Sequence, residues 1–145
     1  SNYDVNLPTL NLRDKNGFTF EIEVTQDICI APDDAPKMIS RVGSPSSKVI
    51  ETANHSSEPK NQKFTSIRNL VTRVLEPIVT TYFRNSAQKY GAEDFLLNPT
   101  ERQQEAIDHI KPALDFYGVE AVGTFINETD LPDAIEKHLH DRKLI

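Results

Sequence analysis

The sequence is poor in cysteine and glycine and has no tryptophan. Of its 145 residues, one is cysteine, none is tryptophan and five are glycine. A single cysteine excludes an intramolecular disulfide and a cysteine-rich zinc site. The glycines form neither a G-x-G-x-x-G run nor a P-loop, so no glycine-rich phosphate cradle is encoded. The hydrolase motif G-x-S-x-G and the zinc-protease motif H-E-x-x-H are missing as well.

The sequence also lacks long apolar runs and an excess of positive charge. No stretch approaches the roughly 18 apolar residues that suggest a membrane-spanning helix, and no basic-then-apolar leader is present. There are 16 Lys and Arg against 22 Asp and Glu, which gives a net charge of −6 and a pI near 5.2. Because such a surface repels phosphates, nucleic acid is not an expected partner. The length predicts one domain.

The first part of the chain predicts a β-hairpin. Asn16-Gly17 is a strong signal for a tight turn because both residues tolerate positive φ. A strand over Thr9–Arg13 precedes it, and after it apolar residues alternate with Thr and Glu from Phe18 to Val24. That alternation is typical of a half-buried antiparallel strand. Ile28–Ile30 is predicted to extend this strand or to bend it through a bulge.

A short helix and a polar segment are predicted next. The helix follows Pro32 and ends at Gly43. At the other end of this region, no strand is expected before Leu7. Residues 44–63 are rich in Ser, Pro, Asn, Lys and Glu, and they are interpreted as a mobile polar loop or an insertion.

The remaining chain is predicted to be mostly helical. A long apolar stripe runs from Phe64 to about Tyr90, and Pro77 within it predicts a kink or a break. Asn98 is predicted to cap the next helix, which Gly118 ends. A strand from residue 119 to 126 and a helix starting near Leu131 follow. The fold class is therefore α/β (α+β), with a small, mostly antiparallel sheet and packed helices.

Candidate metal ligands and bases are sparse. His138 and His140 are the nearest approach to a ligand pair, but residues two apart on a helix point in different directions. His55 and His109 are interpreted as surface residues. Cys29, set between two isoleucines, is interpreted as a packed side chain and not as a reactive thiol.

Two carboxylate groupings leave an acid–base role open. These are Glu93-Asp94 and the pair Glu101 and Glu105, which are interpreted as solvated helix turns unless a pocket encloses them. No catalytic, cofactor-binding or metal-binding residue is therefore predicted, and no cofactor is expected.

The middle of the chain is locally basic. Such a patch can face anionic lipid headgroups, with about 1 kcal/mol per basic residue near the surface. A solvated loop and helix face is the alternative interpretation. The basic residues are Lys48, Lys60, Lys63, Arg68 and Arg73.

Several stretches, taken in order and spacing, resemble the stomatin/prohibitin/flotillin (SPFH, or band 7) superfamily. They comprise a hairpin, an Ala-Pro helix start, a proline-bearing helix that ends in an apolar-Arg pair, and a Tyr-Gly helix end followed by a strand. An acidic-Leu-Pro helix start completes the set. In this sequence they are Arg13–Val24, Asp34-Ala35-Pro36, Ile67–Arg84, Ala92–Leu96, Leu114–Val122 and Asp130-Leu131-Pro132.

The resemblance implies a single SPFH/band 7-like domain over residues 1–145 with a non-enzymatic role. Family members are anchored to membranes, continue from the last helix into a coiled coil and assemble into large homo-oligomers. They organise membrane microdomains or regulate membrane proteases and channels. The implied partners are copies of the same protein and membrane lipids or membrane proteins.

The resemblance also sets expectations about the ends of the chain. The last helix is still running at Ile145, which suggests a soluble fragment of a longer, membrane-associated protein. Since the net charge is negative, the membrane anchor is expected outside this fragment. Two alternatives stay open: a peptide-binding adaptor that uses the sheet edge at Thr9–Arg13, and a small-molecule or enzyme domain that uses its carboxylates.

Overall fold

The computed structural model describes residues 1–43 and 59–143. Within these residues the chain forms strands, helices, a short 3₁₀ turn at Pro32–Asp34 and one π-helical segment at Val71–Leu75. The strands are β1 (Asn2–Asn6), β2 (Leu10–Arg13), β3 (Thr19–Ile22), β4 (Val24–Cys29) and β5 (Glu120–Ile126). The helices are α1 (Ala35–Val42), α2 (Pro59–Leu70), α3 (Glu76–Ala87), α4 (Glu93–Leu96), α5 (Thr100–Asp115) and α6 (Asp133–Lys143).

The strands form two small antiparallel sheets. One has the order β1–β4–β5, and the other is the predicted hairpin of β2 and β3. The expectation of no strand before Leu7 was wrong, because β1 pairs along its whole length with β4. Its sequence, Asn-Tyr-Asp-Val-Asn, alternates polar and apolar residues over too few positions to stand out. The mixed architecture confirms the predicted α+β fold class.

The alternation of apolar residues holds even where the chain changes sheets. Phe20, Ile22 and Val24 are buried, while Glu21 and Glu23 between them are exposed. The predicted single strand is nevertheless two strands, since β3 ends and β4 begins on either side of Glu23. The predicted bulge is present as a register shift between Asp27 and Ile28.

The long helical pattern is divided near its proline, as predicted. Pro77 has no N–H, and its ring crowds the carbonyl four residues earlier. The chain widens into the π-helical segment just before it, where the N–H of Glu76 bonds to the carbonyl of Val71, five residues earlier. The helix also begins at Pro59 and not at Phe64, so the end of the predicted polar loop is helical. Positions 44–58 of that loop lie outside the described residues.

Both sheets and all of these helices contribute to one hydrophobic core. α5 packs on β5, and α3 packs on β2 and α5. Phe83 and Phe95 are fully buried, and the ring of Phe20 lies 5.5 Å from that of Phe95. Asn98 does not cap α5 within the described residues, since the helix starts after Pro99 without a side-chain cap.

Asp14 joins the tip of the hairpin to the loop between α3 and α4. Its carboxylate accepts hydrogen bonds of 2.9 Å from the backbone N–H groups of Asn16 and Phe18 within the turn. The other oxygen accepts a buried 2.9 Å bond from the N–H of Ala92. The N–H of Lys15 donates to the carbonyl of Tyr90 in the same loop. The hairpin is therefore fixed on the helices at its turn.

Candidate functional site

An open groove runs beside the hairpin. Its volume is about 800 Å³, and its two sides are the exposed face of β2 and β3 and the segment that leads into α6. Leu131 and Pro132 give that second side an apolar surface next to the polar one. The lining residues are Thr9, Asn11, Leu12, Arg13, Thr19, Phe20, Glu21, Glu23, Thr129, Asp130, Leu131, Pro132 and Asp133.

β3 presents a free backbone edge beside this groove. The N–H of Asp14 bonds to the carbonyl of Phe18, so these two residues form a hydrogen-bonded pair at the end of the hairpin. Hydrogen-bonded and non-hydrogen-bonded pairs alternate along antiparallel strands, and counting from Asp14 places Asn11 and Glu21 in a non-hydrogen-bonded pair. The backbone groups of Thr19 and Glu21 consequently point away from β2. Next along the same edge, the carbonyl of Glu23 accepts the N–H of Asn127. For Thr19 and Glu21 the described residues supply no such partner.

The groove is acidic. Glu21 and Glu23 stand two residues apart on the exposed face of the hairpin, and Asp130 and Asp133 are exposed on the other side. Arg13 is the only cation among the lining residues. Within the described part of the chain none of these four carboxylates forms an ion pair. The groove therefore offers four carboxylates and one cation to solvent.

A second polar hollow, of about 260 Å³, lies between α3 and α5, and its one carboxylate, Glu105, is paired. The guanidinium of Arg102 is buried, lies 3.5 Å from the ring centre of Tyr90 and bonds at 2.8 Å to Glu105. His109 is exposed at its rim, with its ring 5.0 Å from that of Tyr82. Burial and then the charge of Glu105 raise the pKa of Tyr82 above its ordinary value. This arrangement ties two helices together.

A third group of carboxylates lies on the outer face of the larger sheet. Asp4 on β1 is directly opposite Asp27 on β4, whose other neighbour is Gly123 on β5. A Cβ atom at Gly123 would lie 2.6 Å from the ring of Phe125, so that ring covers this part of the face. Burial, followed by the nearby Asp4 carboxyl, raises the pKa of Asp27.

A comparison with protein families identifies the family of the chain. The family model described as "SPFH domain / Band 7 family" matches residues 1–144. The chain belongs to the SPFH/Band 7 family. Proteins of this family are generally membrane-associated and have scaffold or regulatory roles, and their SPFH domains are generally not enzymes. No curated protein matches the chain.

The structure of this SPFH domain separates most of the candidate residues. His138 is half-buried, with its ring 4.8 Å from that of Phe18, whereas His140 is exposed. Cys29, which was interpreted as a packed side chain, is half-exposed on the outer face of the larger sheet. His55 lies outside the described residues. In the described ranges, no three His, Cys, Asp or Glu residues come together as a metal site.

The structure also shows where the carboxylate pairs and part of the basic patch lie. Glu105 lines the hollow between α3 and α5, but Glu101 does not. Glu93 lies 3.7 Å from Arg142 on α6. Arg68 and Arg73 are exposed, while Lys48, Lys60 and Lys63 lie outside the described side chains. The helices of the described ranges are too short or too polar to cross a bilayer.

Sequence reasoning missed two residues that organise these regions. Asp14 was not named as a candidate, although its carboxylate reaches Ala92, far away in sequence. Arg102 was not singled out, although it is buried on Tyr90. The spacing of Arg102 and Glu105 on one helix face is the signal that was available.

Proposed function

We propose that this SPFH domain is the scaffold part of a membrane-associated homo-oligomer that organises membrane microdomains or regulates membrane proteases or channels. The observation that carries the proposal is the family match over residues 1–144. Anchoring to the membrane and assembly into a large particle are expected to need parts of the protein beyond this domain.

The chemistry of the described residues supports a role in binding and not in catalysis. Asp14 and Arg102 use their charges to join elements of the fold. Glu105, the carboxylate at the hollow between α3 and α5, pairs with Arg102 and accepts a hydrogen bond of 3.3 Å from the hydroxyl of Tyr90. This carboxylate is thus engaged in contacts that join elements of the fold. The surface groove, in contrast, keeps its charges unpaired.

Fractionation of the native cell tests the scaffold function. The protein that contains this chain is expected in the membrane fraction, and in a large homo-oligomer on native gels after mild detergent extraction. The chain 1–145 by itself is expected to elute as a monomer or weak dimer. A full-length protein that stays monomeric and leaves the membrane with a low-salt wash would overturn the proposal.

A peptide-binding adaptor is the second candidate function, and the groove favours it. The sequence pointed to the edge at Thr9–Arg13, where the pairing likewise turns backbone groups of β2 outward. That edge is the nearer one to the helices, since α3 packs against β2 and the N–H of Lys15 bonds to the carbonyl of Tyr90. The edge of β3 at Thr19 and Glu21 has backbone groups that face away from the hairpin and lies beside the groove. Strand addition needs such an edge.

A further inference from the structure

A free strand edge and a set of unpaired carboxylates coincide at the groove beside the hairpin. Thr19 and Glu21 turn backbone groups outward along β3. Glu21 and Glu23, the second of them just beyond the end of β3, place two carboxylates on the same exposed side. Asp130 and Asp133 add two more from the opposite side. Each feature alone is common on protein surfaces. Together they specify both the conformation and the charge of a ligand.

We propose that this groove binds an extended polypeptide segment that carries Lys or Arg at alternate positions, and that the segment pairs with β3 as an added strand. The inference deepens the second candidate function and does not depend on the scaffold function. It names the partner by its chemistry: a basic, extended segment of a protein.

The extended conformation follows from the edge. Successive side chains of a strand point to opposite faces, so residues two apart lie on one face about 7 Å from each other. Glu21 and Glu23 have this spacing, because the alternation of exposed and buried residues continues to Glu23 although β3 ends at Ile22. A strand paired with β3 would set its own alternate side chains beside them. The side chains of the other face would turn away from these carboxylates. Leu131 and Pro132 offer apolar contact at the far side of the groove.

The basic character follows from the charges. Four carboxylates against Arg13 make a site that attracts cations and repels phosphates and carboxylates. A lipid headgroup with a net negative charge would meet the same repulsion. An isolated metal ion would lack a compact ligand set, since no group of three candidate ligands occurs within the described residues. A basic segment satisfies the carboxylates and the strand edge together.

Two fluorescein-labelled peptides test the proposal by anisotropy against the chain 1–145. The basic probe is fluorescein-Thr-Lys-Val-Lys-Val-Thr-amide, labelled at its N-terminus, and its acidic twin has Glu in place of both Lys residues. The basic probe is expected to bind at least about tenfold more tightly at low salt, because two partly exposed ion pairs replace two repulsions. A third peptide, N-methylated at alternate amides, removes donors to the edge and is expected to lose most of the binding.

Charge-reversed variants separate the groove from the net charge of the chain. Glu21→Lys/Glu23→Lys is expected to weaken the basic probe about tenfold and to make the acidic twin the better ligand. The matched control Glu120→Lys/Glu136→Lys changes two exposed carboxylates that do not line the groove, with the same change in net charge. It is expected to bind the basic probe within about twofold of the unchanged chain. The milder Glu21→Gln/Glu23→Gln serves if the reversed variant does not fold.

The outcomes are distinct. Equal losses in the reversed and control variants would show attraction by net charge alone and overturn the proposal. Tighter binding of the acidic twin to the unchanged chain would overturn the basic chemistry while leaving an adaptor function standing. Full binding of the N-methylated peptide would overturn strand addition. Since none of these readouts involves membranes or assembly, they leave the scaffold function to its own test.

Discussion

The hollow between α3 and α5 has one carboxylate and the groove beside the hairpin has four, but only the carboxylate of the hollow helps to hold the fold. In the hollow, Glu105 lies 2.8 Å from the buried guanidinium of Arg102 and accepts from Tyr90. In the groove, Glu21 and Glu23 have no ion-pair partner within the described chain. Removing the paired charges should therefore cost stability, whereas changing the unpaired ones should affect binding.

The largest loss of stability is expected for Asp14, which is fully engaged like the residues of the hollow. Asp14→Ala removes the acceptor of three backbone N–H groups, one of them buried at Ala92. Because unsatisfied buried donors are costly, we expect the free energy of unfolding to fall by about 3 kcal/mol. Urea denaturation followed by circular dichroism measures it. The exposed Asp33→Ala is the control, with an expected change below about 0.5 kcal/mol. Equal stability of the two variants would show that the Asp14 bonds contribute nothing.

A smaller loss is expected for Arg102, the ion-pair partner of Glu105. Arg102→Ala removes the cation over Tyr90 and leaves Glu105 without its partner. Since the Glu105 side chain is 43% exposed, water can solvate it, and the expected loss is about 2 kcal/mol. Arg102→Met keeps the apolar stem and should cost less. If the methionine variant is as unstable as the alanine variant, the effect is due to the charge. If both variants are as stable as the unchanged chain, the contrast between the hollow and the groove is lost.

The carboxyl pair of Asp4 and Asp27 tests an intermediate situation, since it is partly buried but has a like charge opposite. A raised pKa in the folded state means that protonated Asp27 favours folding, and that this stability is lost as the pH rises through the folded-state pKa. Asp27→Asn should therefore stabilise the domain at pH 7, by a few tenths of a kcal/mol, the usual effect of directly opposed like charges. Thermal unfolding at pH 7 and below pH 4 measures it, and the advantage should vanish at the lower pH. A destabilised variant at pH 7 would contradict the assignment.

The smallest change in stability is expected in the groove. Glu21→Lys/Glu23→Lys replaces two exposed side chains that have no ion pair in the described structure. Surface substitutions of this kind usually change the free energy of unfolding by less than about 0.5 kcal/mol. Urea denaturation beside the Arg102 variants checks it. A loss as large as that of Arg102→Ala would show that the groove carboxylates stabilise the fold after all.

The sequence predicted local features better than long-range ones. The turn at Asn16-Gly17, the disruption of the helix before Pro77 and the helix stop at Gly118, which has a φ of 72°, depend on single residues whose backbone preferences are strong. The division of the strand at Glu23 was missed, because the alternation of side chains continues unbroken from one sheet to the other.

The same distinction explains what was found of the site. The family resemblance was correct, since it depended on the order of several short stretches. The groove could not be predicted from the sequence, because residues near position 20 and near position 130 become neighbours only through the tertiary fold. The bond from Ala92 to Asp14 is of the same kind. Local patterns fix turns and helix ends, whereas the partners of charged side chains depend on packing.

One measurement tests the contrast between the two regions most directly. The backbone amide resonances of the ¹⁵N-labelled chain are followed by NMR while the basic peptide is added. We expect the amide shifts to change at Thr19–Glu23 and at residues 129–133, and to stay constant around Tyr90 and Arg102. Shift changes centred on the hollow between α3 and α5, with none along β3, would contradict the division of roles between the two regions.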